Sequence, residues 1–253
     1  MDQLSNDIST LALNRVERLI GRDNLTALSE ANIILFGVGG VGSWTAESLV
    51  RSGVRRLTIV DPDKVAASNI NRQLMALHST VGLPKVQVLK QRLLDIAPDA
   101  QITAIEDMYC ADTAHKFNLA NYSYVIDAID SLADKALLIL NTTAVRTPLV
   151  SSMGAALKLD PTKVAVAEFW KVQGCPLAAA LRRKFKHSGK MPRRKFKCVY
   201  SPELVANCPD TPNDTSGAMS FNKVRINGAI CHITAIFGFT LAGLVIEGLL
   251  ATR

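Results

Sequence analysis

The chain has 253 residues, 48% of them apolar, enough for one large α/β domain or one domain with a substantial appendage. Its five cysteines, Cys110, Cys175, Cys198, Cys208 and Cys231, are odd in number, widely spaced and form no C-x-x-C pair, so neither a zinc clip nor a disulfide framework is indicated. The net charge of +7 is concentrated: nine Lys or Arg and no acid stand between Arg182 and Lys197, leaving 20 basic against 22 acidic residues elsewhere.

Taken in order, the start MDQLSNDIST has neither the basic opening nor the apolar stretch of a signal peptide, so a cytoplasmic protein is expected. Leu4 to Leu28 reads as amphipathic helices. The apolar run Ile33 to Phe36 has the length of a buried strand, and Ser43 to Ser52 follows as a helix. Gly37, Gly39 and Gly42 form G-x-G-x-x-G between the two, with Gly40 inside the same GVGGVGS loop. Such a turn lets phosphates approach backbone N–H groups at a helix N-terminus. The strand Arg56 to Val60 ends in Asp61, about 20 residues beyond the glycines, where this fold places a carboxylate on a ribose. A nucleotide is therefore expected, against the plainer alternative of a glycine-rich turn.

Further strands are predicted at Gln101 to Ile105, Tyr124 to Ala128 and Leu149 to Ser152. Helices are predicted at Pro84 to Ile96, Asp112 to Leu119 and Ser131 to Val145. The pattern is that of a doubly wound, Rossmann-like, mostly parallel sheet. It divides one expected domain into N-terminal helices (1–30), a nucleotide-binding core (31–157) and a substrate-binding α/β extension (158–253). The extension has a strand-like VAVAEFW, a helix from Pro176 to Phe185, the basic run and a Pro- and Asn-rich loop through Thr215. Gly228 to Leu250 has the ~20 apolar residues that span a bilayer. His232, Glu247 and the recurring glycines favour a buried helix instead, with membrane association as the competing reading.

The basic run, RRKFKHSGKMPRRKFK, is expected to be solvated and mobile. Nucleic acid is its expected partner, through Arg182, Arg183, Lys184, Lys186, Arg193, Arg194, Lys195 and Lys197, with Phe185 or Phe196 stacking on unpaired bases. A merely solvated loop is the alternative.

After Asp61 come Asp63, Asn69, Arg72 and Gln73, then Lys85 in VGLPK. A hydride-transfer site needs none of these. An adenylation site does, because cationic and amide donors must hold a triphosphate while a carboxylate attacks the α-phosphorus and pyrophosphate leaves. Lys85 reads as a mobile cation bridging the same phosphates. Asp127 and Asp130, in DAIDS, sit at a strand's carboxyl end, where Mg²⁺ would find a hard oxygen.

The glycine loop, D-x-D, N-x-x-R-Q, V-G-x-P-K and D-x-x-D-S together resemble the ubiquitin-activating E1-like adenylating superfamily, over nearly the whole chain. The resemblance implies transfer of AMP from ATP onto a carboxylate. By that resemblance Asp61 binds the ribose, Asn69, Arg72 and Lys85 the phosphates and Asp130 the magnesium. Arg15, in NRVERLIG, reaches the triphosphate of the partner subunit in a homodimer. YSYVIDAIDS, CPLAAALRRKF, KCVYS and RINGAICHITAIFGF resemble the branch that dehydrates threonylcarbamoyladenosine in tRNA, by activating the threonine carboxylate and closing a ring. The runner-up is adenylation of a small sulfur-carrier or ubiquitin-like protein's C-terminus, although the two C-x-x-C pairs usual there are missing. The resemblance leaves open a bound monovalent cation and a cysteine desulfurase or sulfur-acceptor partner, and implies no obligate membrane partner. Ring closure is intramolecular, so no enzyme nucleophile is required. Cys231 reads as packing, and Cys198 and Cys208 as the cysteines open to a reactive role.

Overall fold

The computed structural model describes residues 3–209 and 227–250, with side chains from residue 11 onward in the first helix. Two helices, α1 (Gln3–Ile20) and α2 (Arg22–Glu30), precede the sheet and are separated at Gly21, whose φ of 82° lies in the left-handed region. Then come β1 (Asn32–Phe36), α3 (Gly42–Arg51), β2 (Arg56–Val60), α4 (Lys85–Ile96), β3 (Gln101–Ile105), β4 (Tyr124–Asp127), α5 (Leu132–Ala144) and β5 (Leu149–Ser152). The chain continues through β6 (Ala165–Glu168), α6 (Pro176–Ser188), β7 (Lys197–Tyr200) and α7 (Cys231–Leu250).

The seven strands form one sheet in the order β3-β2-β1-β4-β5-β7-β6, parallel throughout except for β6. Alternation along β1 explains the layering. Ile33 and Leu35 enter a core with α3, α4 and α7, while Ile34 and Phe36 enter a second core with α5 and α6. Both faces are covered, so β1 reads as a continuous apolar run. Because β2 and β3 lie on one side of β1 and β4 on the other, the direction of winding reverses between β1 and β4, opening a crevice at their carboxyl ends.

Three expectations are corrected. Asp112 to Leu119 is not a helix but two 3₁₀ turns, Ala114–Lys116 and Leu119–Asn121, because Thr113 ties back to Cys110 and Phe117 turns inward to meet the ring of Phe36. The basic run is not a mobile arm: it forms the last turns of α6, a turn and the start of β7, a strand unmarked in the sequence reading. Phe185 and Phe196 are 1% and 5% exposed and pack around Phe169, so neither ring is available to a base. Of the Pro- and Asn-rich loop, 210–215 lies outside the described residues.

α7 is long and apolar enough to cross a membrane by length and composition, yet half of that stretch is buried. It packs on α3 at a glycine. A Cβ on Gly238 would stand 2.6 Å from the Val41 carbonyl oxygen and 2.8 Å from Trp44 Cβ, and Thr45 Oγ1 donates to the Gly238 carbonyl at 3.2 Å.

Candidate nucleotide-binding site

The crevice deepens into a cavity of about 500 Å³ whose lining comes from both sides of the winding reversal. Its floor is the glycine loop. Gly37 has φ 86°, and a Cβ there would meet the Ala128 carbonyl oxygen at 2.7 Å. A Cβ on Gly42 would lie 1.9 Å from the Gly37 carbonyl oxygen, so the turn closes only with glycine at both positions. No side chain caps α3, whose N-terminus carries the positive end of the helix dipole. Ser43 Oγ donates to the Gly39 carbonyl at 2.7 Å and accepts from the Leu74 N–H at 3.2 Å, joining the loop to the segment bearing Arg72 and Gln73.

Asp61 leaves the end of β2 and accepts from the Val38 N–H at 2.8 Å and the Asp63 N–H at 2.9 Å. Burial raises its carboxyl above the ordinary carboxylate value, and the Lys85 ammonium, 4.0 Å away, opposes the shift. Lys85 itself is 5% exposed and donates to Asp63 at 2.7 Å. The expected mobile cation is instead held between two carboxylates at the start of α4, in the lining of the cavity.

Asn69 turns its Oδ1 to the Ala66 N–H at 3.0 Å, fixing the short turn that delivers Arg72. Burial lowers the pKa of the Arg72 guanidinium, and Asp130 opposes that shift. Trp44 Nε1 donates to the Arg72 carbonyl at 3.2 Å, a second anchor from α3. The Oε1 of Gln73 is buried without a hydrogen-bond partner among the described residues, an acceptor left for a ligand.

Gly37, Gly39, Gly40, Asp61, Asp63, Asn69, Arg72, Gln73, Lys85 and Asp130 all line this one cavity. Asp127 does not, a correction to its expected role toward the nucleotide. It is fully buried, accepts from Lys135 Nζ at 2.8 Å and Ser151 Oγ at 2.6 Å, and receives the Ile129 N–H at 3.1 Å. It braces the turn that carries Asp130. Arg15 also lies away from the lining, exposed on α1. The basic residues form the outer surface of α6 and the turn after it. Arg182 is the exception, directed inward to the carbonyls of Phe169 and Val172 at 3.1 and 2.9 Å.

Sequence reasoning missed Asp107, Met108 and Tyr109 after β3, Asp134 at the start of α5, the Met153–Ala156 stretch after β5, and Thr234 on α7. The signal that could have found the first and third groups is position: both follow the carboxyl ends of parallel strands, where ligands bind in open α/β sheets. Among the described residues no group of three or more His, Cys, Asp or Glu side chains could hold a metal. Cys198 is buried in β7 and burial drives its thiol well above the ordinary value, which removes it as a reactive group.

The ThiF family model matches residues 12–251. The tRNA threonylcarbamoyladenosine dehydratase of Escherichia coli (strain K12) is 37% identical over 245 residues, covering 92% of this chain and 91% of that protein. The protein of the same name from Bacillus subtilis (strain 168) is 43% identical over 190 residues, or 75% of this chain and 74% of that one. The crystal structure of the E. coli dehydratase in complex with ATP superposes with a TM-score of 0.85 at 34% identity, covering 97% of this chain and 96% of the other.

Proposed function

The chain belongs to the ThiF family, and from that premise we infer that it is an ATP-dependent tRNA threonylcarbamoyladenosine dehydratase. The observation that carries the reading is the single cavity in which the glycine loop, Asp61, Arg72, Lys85 and Asp130 meet, in a chain similar along nearly its whole length to an ATP-bound dehydratase.

The chemistry follows from the residues. A carboxylate resists attack because its oxygen is a poor leaving group. The threonine carboxylate of the modified adenosine attacks the α-phosphorus of ATP, and pyrophosphate departs. An atom of the same nucleoside's carbamoyl group then attacks the activated carbonyl carbon, AMP leaves with the original carboxylate oxygen, and a ring closes. The attacking and attacked groups share one molecule, so the enzyme supplies orientation and charge and no nucleophile. The glycine loop and the open end of α3 receive phosphate oxygens. Asp61, fixed by two backbone N–H groups, accepts from ribose hydroxyls. Arg72 and Lys85 offset the charge that develops on the phosphates and the departing pyrophosphate. Gln73 Oε1 offers an acceptor to the bound nucleotide.

Magnesium fits this inventory. It commonly binds through one or two carboxylates together with substrate phosphates, and Asp130 supplies a carboxylate at the rim, with Asp134 nearby in the lining. When bound there, the ion would neutralise phosphate charge.

The assembly we propose is a homodimer in which Arg15 reaches the neighbouring site, as an arginine finger acting in trans does. Leu11, Arg15 and Leu19 recur every four residues on one stripe of α1, and the two leucines are 71% and 85% exposed. An apolar stripe with a cation at its centre suits a covering subunit. Mixed dimers of Arg15→Ala and Asp130→Asn chains regain partial activity if the site is shared, and complementation absent from verified mixed dimers rejects the arrangement.

The deciding experiment is nucleoside analysis of tRNA carrying threonylcarbamoyladenosine after incubation with the protein, MgCl₂ and ATP. The expected result is a nucleoside lighter by one water, formed with equimolar AMP and pyrophosphate, and abolished by Asp130→Asn. An unchanged nucleoside, with AMP formed only when a carrier protein is added, rejects the dehydratase reading in favour of the runner-up.

A further inference from the structure

α5 and α6 both begin at the cavity and lead away from it. Asp134 and Leu177, near their starts, line the cavity, and each helix runs for 13 residues. At 1.5 Å per residue their far ends lie about 20 Å from the ends that meet the cavity. There the two are joined by the basic turn: the Arg193 N–H donates to Thr143 Oγ1 at 3.2 Å, and Arg194 Nε donates to the Thr143 carbonyl at 3.3 Å. Arg146, just beyond α5, is exposed beside this junction and adds a cation that the linear run does not contain.

The charge along this strip is one-sided. α6 and the turn 189–196 contain no acidic residue, and Asp134 at the cavity end is the one acid in α5. Three of the basic residues are not fully available outward, since Arg182 and Arg194 are spent on backbone carbonyls and Lys197 lies 3.8 Å from Glu247. Within α6 and the turn 189–196 both phenylalanines, Phe185 and Phe196, are buried, so this stretch itself offers cations and no phenyl ring for stacking.

We propose that Arg146, Arg183, Lys184, Lys186, Arg193 and Lys195 dock the sugar-phosphate backbone of a double-helical RNA stem, whose adjoining loop delivers its modified nucleotide to the cavity. The proposal rests on the tRNA reading and specifies which part of the RNA is held. A cationic strip without stacking surfaces suits a duplex, in which the bases are stacked away and phosphates dominate the contact. Its distance from the cavity suits the stem, because the loop nucleotides must be at the other end. Recognition by this face is thus indifferent to sequence and sensitive to whether a helix adjoins the reactive nucleotide.

The test compares an RNA stem-loop carrying the modified adenosine in its loop with a single-stranded oligonucleotide of the loop sequence alone, each measured for affinity across a salt series. Three proteins are used: the parent, Arg146→Ala, and the triple variant Arg193→Ala/Arg194→Ala/Lys195→Ala. Each phosphate contact adds about 0.7 to 0.9 to the slope of log affinity against log salt. The parent should show a steeper slope on the stem-loop than on the loop. The triple variant should lose about 1.4 to 1.8 from the stem-loop slope, one contact each for Arg193 and Lys195, and Arg146→Ala about 0.7 to 0.9, with neither changing the loop slope. ATP affinity, read at the distant cavity, verifies that the variants are folded. Stem-loop slopes equal to the parent's, or equal losses on both RNAs, overturn the proposal. If the parent fails to convert full-length tRNA at all, the functional reading itself falls and this inference with it, an outcome distinct from either of those.

Discussion

Lys135→Met makes the sharpest test of how the Asp130 turn is held. Lys135 and Asp127 are both 0% exposed and lie 2.8 Å apart, so the substitution strands a carboxylate in the core with only the Ser151 hydroxyl and the Ile129 N–H as donors. Removing one partner of a buried ion pair costs about 3 to 5 kcal/mol, because desolvation of the surviving charge is no longer offset. For a chain of this size each kcal/mol moves Tm by about 2 to 4 °C, so the melting temperature should fall by roughly 6 to 20 °C. Adding Asp127→Asn removes the stranded charge while keeping an oxygen toward Ile129, and the double variant should be more stable than Lys135→Met alone. Urea unfolding of the nucleotide-free proteins gives the free energies. The same samples, titrated with Mg-ATP, should show weakened binding in the single variant, since the turn it loosens carries Asp130. A cost below about 1 kcal/mol, or a double variant as unstable as the sum of the two singles, would refute the argument that a buried pair braces the site.

Asp61→Asn should stabilise the nucleotide-free protein relative to the parent increasingly as pH rises. The folded carboxyl lies above its ordinary 3.8, so the parent's stability is fullest below that value and declines as pH climbs through the raised one; parallel urea series from pH 3.5 to 7 measure the difference, and a constant gap rejects it. Gly238→Val should cost about 1 to 3 kcal/mol or more through overpacking against Val41 and Trp44, and should weaken ATP binding by shifting α3; unchanged ATP affinity in the folded variant would disconnect α7 from the cradle. Mass-spectrometric mapping after brief alkylation at pH 7 should find Cys208, which is exposed, labelled ahead of Cys198, and early modification of Cys198 would contradict its burial and raised thiol pKa.

The parts of this molecule legible in its sequence are those whose cause is local. Ile33 to Phe36 had to be a doubly covered strand, and the glycines after it had to turn tightly, because the alternatives put side chains into backbone. Asp61 was found by its distance from that turn. Burial arising from tertiary packing was harder to read. Phe185 and Phe196 sit among lysines and arginines in the chain, yet Phe185 is on the buried face of α6, and Phe196 belongs to an exposed-buried alternation, Lys195-Phe196-Lys197-Cys198, that leads into β7 and that the charges obscured. Asp127 and Asp130 look equivalent in DAIDS, and their contrasting fates depend on Lys135 arriving from α5 and Ser151 from β5. The cavity's contributions from Asp107, Asp134 and Thr234 needed the sheet order before they could be seen together.

The seating of α7 against α3 has a consequence for biosynthesis. Val41, Trp44 and Thr45, at the start of the helix that receives phosphate, are covered by a segment that leaves the ribosome roughly 190 residues later. At about 5 to 20 residues per second, translation leaves that interval open for roughly 10 to 40 seconds. During it the nascent β1–α3 unit presents an uncovered apolar face, a natural stopping place for a holdase chaperone. Nucleotide affinity is therefore expected late in the life of the polypeptide, and a chain terminated before Cys231 should bind ATP more weakly than the full one.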